Sequence, residues 1–85
     1  MPMDIRNLVI SIISEKCYIE KNEVRDDMTI EGDLFVDSLG FTAIIVELEK
    51  TLAMHLPAQE LQLSIKGTVG ELYRRLEEYY KNMIL

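Results

Sequence analysis

Cysteine, histidine, proline and tryptophan are scarce in this sequence, and their scarcity limits the chemistry that the chain can perform. The 85 residues include one cysteine, one histidine, two prolines and no tryptophan. A lone Cys17 cannot form an internal disulfide or, by itself, a zinc site, and we expect it to be a partly buried helix residue. The single histidine, His55, has no partners at metal-ligand spacing. We therefore predict no metal site.

Long apolar runs and an excess of basic residues are also missing. No run approaches the roughly 18–20 apolar residues that a membrane span requires, and the N-terminus lacks the charged-then-apolar order of a signal peptide. We therefore expect a cytoplasmic protein with no membrane span. The 15 acidic and nine basic residues give a formal net charge of −6. Because a phosphate backbone repels an acidic surface, we expect no nucleic-acid partner, while basic protein partners remain open.

The sequence does contain enough apolar residues for one small core. Hydrophobic residues make up 48% of the chain and charged residues 28%, which is typical of a globular protein rather than a disordered one. A chain of this size buries roughly 60–65% of the surface that it exposes when unfolded. We therefore expect a single domain over residues 1–85, and a monomer.

Helical periodicity is the main pattern along the chain, and it predicts three main helices. The first begins after an N-cap at Asp4. The second runs from about Ser38 to about Ala53. The last begins at a capping box formed by Thr68 and Glu71. Their apolar stripes are Ile5, Leu8, Val9, Ile12 and Ile13; Phe41, Ile44, Ile45, Leu48 and Leu52; and Val69, Leu72, Tyr73, Leu76, Tyr80 and Met83.

The connections between these helices complete the expected fold. Residues 20–33 predict a long polar loop, and four apolar residues should hold it to the core. These are Val24, Met28, Ile30 and Leu34. Pro57 fits the first turn of a short helix over residues 57–61, because its missing N–H costs nothing there. No segment alternates convincingly as a strand. The sequence therefore predicts an all-α fold, a small four-helix bundle with three main helices, one short helix and a long first loop.

Ser38 stands at the expected start of the second helix, directly after Asp37. If Asp37 is the N-cap, Ser38 lies in the first turn, where free amides and the positive end of the helix dipole favour an anion. A phosphate attached to Ser38 would then be stabilised by the backbone itself. The alternative is that both residues are capping residues and nothing more.

A catalytic role for Ser38 is disfavoured. A serine nucleophile needs a base within hydrogen-bond reach, and the only histidine, His55, follows 17 positions later. That spacing corresponds to about 25 Å at roughly 1.5 Å per residue along a continuous helix. The chain also lacks a glycine-rich phosphate loop and a cysteine–histidine pair. We therefore predict no catalytic residue and do not expect an enzyme.

The order of these features resembles the acyl carrier protein family from end to end. The features are a helix, a long loop, Asp33-Leu34, Asp37-Ser38-Leu39, a second helix, Pro57 and a capped last helix. Shorter matches occur at Thr29-Ile30 before the serine, at Leu56-Pro57 before the third helix and at Thr68-Val69 before the fourth. The Asp-Ser-Leu triplet is short, but the match covers nearly the whole chain.

The resemblance implies a prosthetic group and a set of partners. By that resemblance Ser38 carries 4′-phosphopantetheine through a phosphodiester, Asp37 is its N-terminal neighbour, and Leu39 is a residue that partner enzymes recognise. The thiol of the arm, rather than the protein, holds an acyl or aminoacyl group as a thioester. The implied partners are a phosphopantetheinyl transferase and acyl-activating, synthase or transferase enzymes. The alternative is an unmodified helical protein–protein interaction module.

The chain departs from the family's fatty-acid carriers around the serine. Phe35-Val36 stand where those carriers have Gly-Ala, and Gly40 and Ala43 stand where they have acids. These differences favour a specialised carrier over one for housekeeping fatty-acid synthesis. Secondary metabolism (polyketide or nonribosomal peptide), lipid modification or an amino-acid-loading system would fit.

The second helix also has an unexpectedly apolar outer face, on the side opposite its apolar stripe. This outer face consists of Leu39, Thr42, Ala43 and Val46, with Glu49 on one edge and Glu47 further round. One explanation is that the helix is buried on both sides. The other is an exposed patch that contacts partners, and by resemblance carriers present this side to their enzymes. We therefore predict all six residues to bind partners.

Overall fold

A computed structural model describes residues 4–84, and the side chains of residues 83 and 84 lie outside that description. The predicted all-α bundle is confirmed. The helices are α1 (Ile5–Cys17), α2 (Ser38–Leu52), α3 (Ala58–Leu61) and α4 (Val69–Ile84), with 3₁₀ helices at Lys21–Glu23 and Gln62–Lys66. Within residues 4–84, no helix is long and apolar enough to cross a bilayer.

Helix α1 begins and ends at well-defined caps. The carboxylate of Asp4 accepts a hydrogen bond from the amide of Asn7 at 3.0 Å, which confirms the predicted N-cap. The helix ends at Tyr18, whose backbone is left-handed with φ 58°. The predicted stripe faces the core, with Leu8 only half-buried. Ile10, which the stripe did not include, is buried as well.

Helix α2 places its whole predicted stripe in the core. We call this stripe the inner face of α2, and all five of its members are buried: Phe41, Ile44, Ile45, Leu48 and Leu52. The helix ends one residue before the predicted Ala53, because the backbone of Ala53 turns into the left-handed region at φ 54°. Its amide still donates to the carbonyl of Glu49, so Ala53 closes the helix from outside.

The short third helix also differs by one residue from the prediction. Pro57 is its N-cap rather than a member of its first turn, since its ψ of 83° is not helical. The Pro57 carbonyl accepts the amide of Leu61 at 3.0 Å, and the chain then tightens into the second 3₁₀ helix.

Helix α4 begins at the predicted capping box. The Thr68 hydroxyl accepts from the Glu71 amide at 3.2 Å, and the Glu71 carboxylate accepts from the Thr68 amide at 3.3 Å. Three members of its predicted stripe are fully buried, and the two tyrosines are half-buried. The buried members are Val69, Leu72 and Leu76. The side chain of Met83, the sixth predicted member, lies outside the described residues.

The long first connection is fastened to the start of α4 by backbone hydrogen bonds. The Ile30 amide donates to the Gly67 carbonyl at 3.1 Å, and the Gly70 amide donates to the Asp26 carbonyl at 2.9 Å. A Cβ at position 70 would lie 3.2 Å from that carbonyl oxygen, so a glycine permits this close approach. Val24 and Ile30 are buried as predicted, and Met28 and Leu34 are half-buried.

A polar cluster fixes the same loop to both long neighbouring helices. The Asp26 carboxylate accepts a hydrogen bond from the Tyr73 hydroxyl at 2.7 Å and lies 3.3 Å from the Arg6 guanidinium. The hydrogen bond from Tyr73, followed by the charge of Arg6, lowers the pKa of Asp26. Tyr73 therefore combines packing with a specific polar contact, which its place in an apolar stripe did not indicate.

Candidate functional site

The turn that carries Ser38 has the geometry of a capped helix start. The Asp37 carboxylate accepts from the Gly40 amide at 2.8 Å, and the Asp37 carbonyl accepts from the Phe41 amide at 2.8 Å. Ser38 is the first residue of α2, and its side chain is exposed. The predicted N-cap is therefore confirmed, with Ser38 in the first turn.

Gly40 allows this cap to close. A Cβ at position 40 would lie 3.3 Å from the Asp37 carboxylate and 3.4 Å from a methyl group of Val36. A side chain there would crowd the oxygen that caps the helix. The glycine lowers helix propensity by roughly 1 kcal/mol relative to alanine. In return, the absence of a side chain at position 40 leaves room for the Asp37 carboxylate that caps the helix.

The exposed hydroxyl of Ser38 fits the attachment of a phosphodiester. The first amides of a helix have no acceptors within the helix, and the helix dipole is positive there. The cap and the first helical hydrogen bond take up the amides of Gly40 and Phe41, which leaves the amides of Ser38 and Leu39 facing the helix end. A negative group on Ser38 would meet a favourable field and would not have to displace packed side chains.

The segment before Ser38 is held in one shape by reciprocal hydrogen bonds. The Thr29 amide donates to the Asp33 carboxylate at 2.9 Å, and the Asp33 amide donates to the Thr29 hydroxyl at 2.9 Å. The Val36 amide donates to the Ile30 carbonyl at 3.1 Å. These bonds connect the turn at Ser38 to the anchored part of the loop.

Phe35 has an unfavourable backbone conformation in this segment. Its φ is 56°, and its side chain is 87% exposed. A left-handed backbone costs a residue with a side chain roughly 1–2 kcal/mol, whereas glycine adopts it freely. This explains why glycine suits the position in the fatty-acid carriers that the chain resembles. Phe35 was noted in the sequence as a departure from that pattern, but its conformation could not be inferred.

The outer face of α2 is exposed, which excludes the explanation that the helix is buried on both sides. Leu39 is 82% exposed and Val46 is 42% exposed, and Thr42 and Ala43 are also exposed. The Thr42 hydroxyl donates to the Ser38 carbonyl at 2.9 Å and accepts from the Gln62 amide group at 3.0 Å. This second bond places the 3₁₀ helix after α3 beside the outer face.

The two flanking acids occupy different environments, although both are half-buried. The Glu49 carboxylate accepts from the Leu56 amide at 2.8 Å and lies 3.2 Å from a ring nitrogen of His55. Glu49 therefore stabilises the turn after α2, a role that the sequence did not indicate. The Glu47 carbonyl accepts from the Thr51 hydroxyl at 3.0 Å within α2. A partner-binding role for either carboxylate stays a prediction.

The serine and the histidine of the disfavoured catalytic role lie at opposite ends of α2. Ser38 is the first residue of the helix, whereas His55 follows its last residue and is exposed. Over residues 4–84, no group of three or more histidine, cysteine or acidic side chains is placed to hold a metal ion.

Comparison with known proteins adds a family to this geometry. The sequence model described as "Phosphopantetheine attachment site" matches residues 7–76. An acyl carrier protein of Lactobacillus johnsonii is 29% identical over 79 residues, which cover 89% of this chain and 92% of that protein. An acyl carrier protein of Azobacteroides pseudotrichonymphae is 35% identical over 75 residues, which cover 88% of this chain and 87% of that protein. No solved structure gave a significant match.

Proposed function

Because the chain belongs to the phosphopantetheine attachment site family and is a carrier of the acyl carrier protein type, we propose that Ser38 is the residue that carries its 4′-phosphopantetheine arm. The chain is thus a carrier rather than an enzyme. When attached, the arm supplies a thiol that holds the acyl or aminoacyl group as a thioester.

The observation that carries this proposal is the exposed Ser38 hydroxyl at the capped start of α2. Asp37 holds the first turn by accepting the Gly40 amide. The backbone amides of the same turn stabilise the negative charge of the phosphodiester. Ser38 also lies inside the segment that matches the family. Each residue thereby has a physical role, and none needs to be catalytic.

The outer face of α2 is the proposed contact surface for partner enzymes. Its residues are exposed and lie on the helix that begins at Ser38. Exposed apolar patches of this kind mark protein–protein contact sites. A phosphopantetheinyl transferase and enzymes that load or remove acyl groups are the partners of the proposed cycle. The single domain over residues 1–85, the monomeric state and the cytoplasmic location remain predictions.

A specialised pathway is favoured by the residues around the arm. Gly40 and Ala43 replace acids near Ser38, and Phe35 adds an exposed aromatic ring. Fewer acids near the arm weaken the electrostatic steering of basic partners. We therefore expect slow loading by a transferase dedicated to fatty-acid carriers and faster loading by a broad-specificity transferase. Equal rates at low and moderate salt would remove this argument.

The decisive experiment is intact-mass analysis after incubation with coenzyme A and a broad-specificity phosphopantetheinyl transferase. We expect the mass of one phosphopantetheine to be added to the native chain and to the control variant Ser11→Ala, and no addition to Ser38→Ala. A transferase that modifies another carrier in parallel but leaves this chain unchanged would favour the unmodified interaction module.

A further inference from the structure

Two hydrogen bonds in series connect the turn that carries Ser38 to the second 3₁₀ helix. The side-chain amide of Gln62 donates to the Thr42 hydroxyl oxygen at 3.0 Å, and that hydroxyl donates to the Ser38 carbonyl at 2.9 Å. A hydroxyl has one hydrogen, so its oxygen can only accept from Gln62 once that hydrogen is given to the Ser38 carbonyl. Bonds that point in one direction polarise and strengthen each other. Gln62 follows Thr42 by 20 positions, so the contact is tertiary.

Gln62 lies on a well-anchored part of the fold. It is the first residue of the second 3₁₀ helix, and two later residues of that helix, Ser64 and Ile65, are buried. Leu61, directly before it, is completely buried. The Ile65 carbonyl also accepts the amide of Glu31, in the first connection, at 3.1 Å. The backbone that carries the donor therefore cannot move without disturbing the core.

The Ser38 turn needs support on its outer side. The Asp37 carboxylate caps the turn, and Phe41 fastens its inner side to the core. Gly40 weakens the helix in the same turn, and helix ends fray readily. The bond from Gln62 adds a contact from another part of the fold on the exposed side of this turn.

Gln62 also favours one rotamer of Thr42. Threonine in a helix divides between two χ1 rotamers, one of which lets its hydroxyl bond a carbonyl of the preceding turn. The donor on Gln62 meets the hydroxyl oxygen in the rotamer that reaches the Ser38 carbonyl. Thr51, near the other end of α2, makes the same type of bond to the Glu47 carbonyl at 3.0 Å, and it provides a comparison.

We propose that Gln62, acting through Thr42, is a positioning residue that holds the turn of Ser38 in the geometry that the transferase uses; this inference rests on the proposed function, because it takes Ser38 as the point of attachment. Small misplacements of a reacting group slow a reaction strongly. The expected effect of losing the bond is about threefold. A threefold change in an equilibrium corresponds to about 0.65 kcal/mol, which is within the range for one neutral hydrogen bond.

Hydrogen exchange in the free chain measures the positioning without any enzyme. Gln62→Met keeps the length of the side chain and removes the donor. We expect the amides of Gly40 and Phe41, which bond to Asp37, to exchange about threefold faster in this variant. The amide of Asn7, at the cap of α1, opens independently and should keep its rate. Gln59→Met changes an exposed glutamine of α3 and is the matched control, with no change expected.

A double-mutant comparison examines the series of bonds. Thr42→Val removes the hydroxyl, keeps the branched shape and should also speed exchange at Phe41. Adding Gln62→Met to Thr42→Val should have no further effect, because both substitutions break the same series. Adding Gln62→Met to Thr51→Val should give the full threefold effect. Independent effects of Gln62→Met and Thr42→Val would overturn the proposal.

Loading kinetics connect the bond to function. With coenzyme A and a broad-specificity transferase, Gln62→Met should lower kcat about two- to threefold and leave KM unchanged, because the docking surface is intact and the serine is less often in place. A rise in KM alone would make Gln62 a docking residue. An unchanged kcat with faster exchange would make the bond merely structural. Either result would overturn the proposal.

The outcomes also separate this proposal from the proposed function. If the native chain gains no phosphopantetheine mass, the proposed function fails, and the positioning role fails with it. If the native chain is loaded normally but exchange at Gly40 and Phe41 is the same in Gln62→Met, only the positioning role is overturned.

Discussion

The inner and outer faces of α2 are built from similar residues and have opposite environments. On the inner face, Phe41, Ile44 and Leu48 are almost completely buried. On the outer face, Leu39 and Val46 are apolar as well, yet they are exposed. Burial of the inner face stabilises the bundle. The exposed side chains of the outer face contribute little to the stability of the fold. Apolar character thus serves stability on one side and is available for partner contact on the other.

The largest expected effect is on the inner face. Leu48→Ala should lower the free energy of unfolding by about 2–5 kcal/mol, because it leaves a cavity in a buried position. A domain of this size has little more than that in reserve. Thermal unfolding followed by circular dichroism would measure the loss. A melting temperature within a degree or two of the parent would show that the inner face is not the centre of the core.

A smaller effect of opposite sign is expected just before α2. Phe35→Gly should raise the free energy of unfolding by about 1 kcal/mol, since glycine relieves the left-handed strain while its greater freedom in the unfolded chain offsets part of the gain. Phe35→Ala, which keeps the strain, is the matched control and should not stabilise. If glycine destabilises the chain, the exposed ring makes contacts that its exposure does not reveal.

The hydrogen bond between Tyr73 and Asp26, which anchors the first loop, should contribute to stability although it lies away from α2. Tyr73→Phe should cost at most about 1 kcal/mol at pH 7, because the hydrogen bond to Asp26 is partly solvated. The native bond lowers the pKa of Asp26 and raises the pKa of Tyr73. Its contribution is therefore fully present between about pH 4 and pH 10, the ordinary values of the two groups.

The two pKa shifts also determine how the stability difference between the native chain and Tyr73→Phe should change with pH. As the pH falls through the lowered pKa of Asp26, or rises through the raised pKa of Tyr73, the native chain should lose the advantage that it has over Tyr73→Phe. Melting temperatures of both proteins at pH 3 and pH 7 would measure the loss on the acidic side. A constant difference between the proteins across that range would contradict the assigned bond.

The smallest effect on stability is expected on the outer face. Val46→Asp should change the free energy of unfolding by less than about 0.5 kcal/mol, as for most surface substitutions. It should nevertheless slow arm loading or acyl transfer by partner enzymes, because it places a charge in the proposed contact surface. Melting curves and transfer kinetics on the same variant are needed. A large loss of stability would mean that Val46 belongs to the core.

Residues whose roles depend on near neighbours in sequence were predictable. Helical spacing identified the whole inner face of α2, and the caps at Asp4, Asp37 and Thr68 follow from local hydrogen bonding. The positions of Pro57 and Ala53 were each wrong by one residue, since helix ends are set by backbone angles that composition only biases.

Roles that depend on distant parts of the chain were not predictable in the same way. The bond between Tyr73 and Asp26 joins residues 47 positions apart, and periodicity carries no information about such a pair. The Glu49 carboxylate caps a turn seven residues later. The left-handed backbone of Phe35 lies between Leu34 and Val36, whose amides both donate to carbonyls of the anchored loop. For the candidate site, the sequence indicated Ser38 and its cap, whereas the left-handed backbone of the nearby Phe35 could be seen only in the fold.

The bonds between the first connection and the start of α4 bear on the order in which the chain becomes competent for modification. The turn at Ser38 is tied through Val36 to Ile30, and Ile30 is tied to Gly67. During synthesis from the N-terminus, the segment that orients the serine therefore lacks partners until the residues around Gly67 have left the ribosome. A transferase that recognises the folded turn would therefore act only after the residues around Gly67 have emerged, so a chain truncated before Gly67 would escape modification.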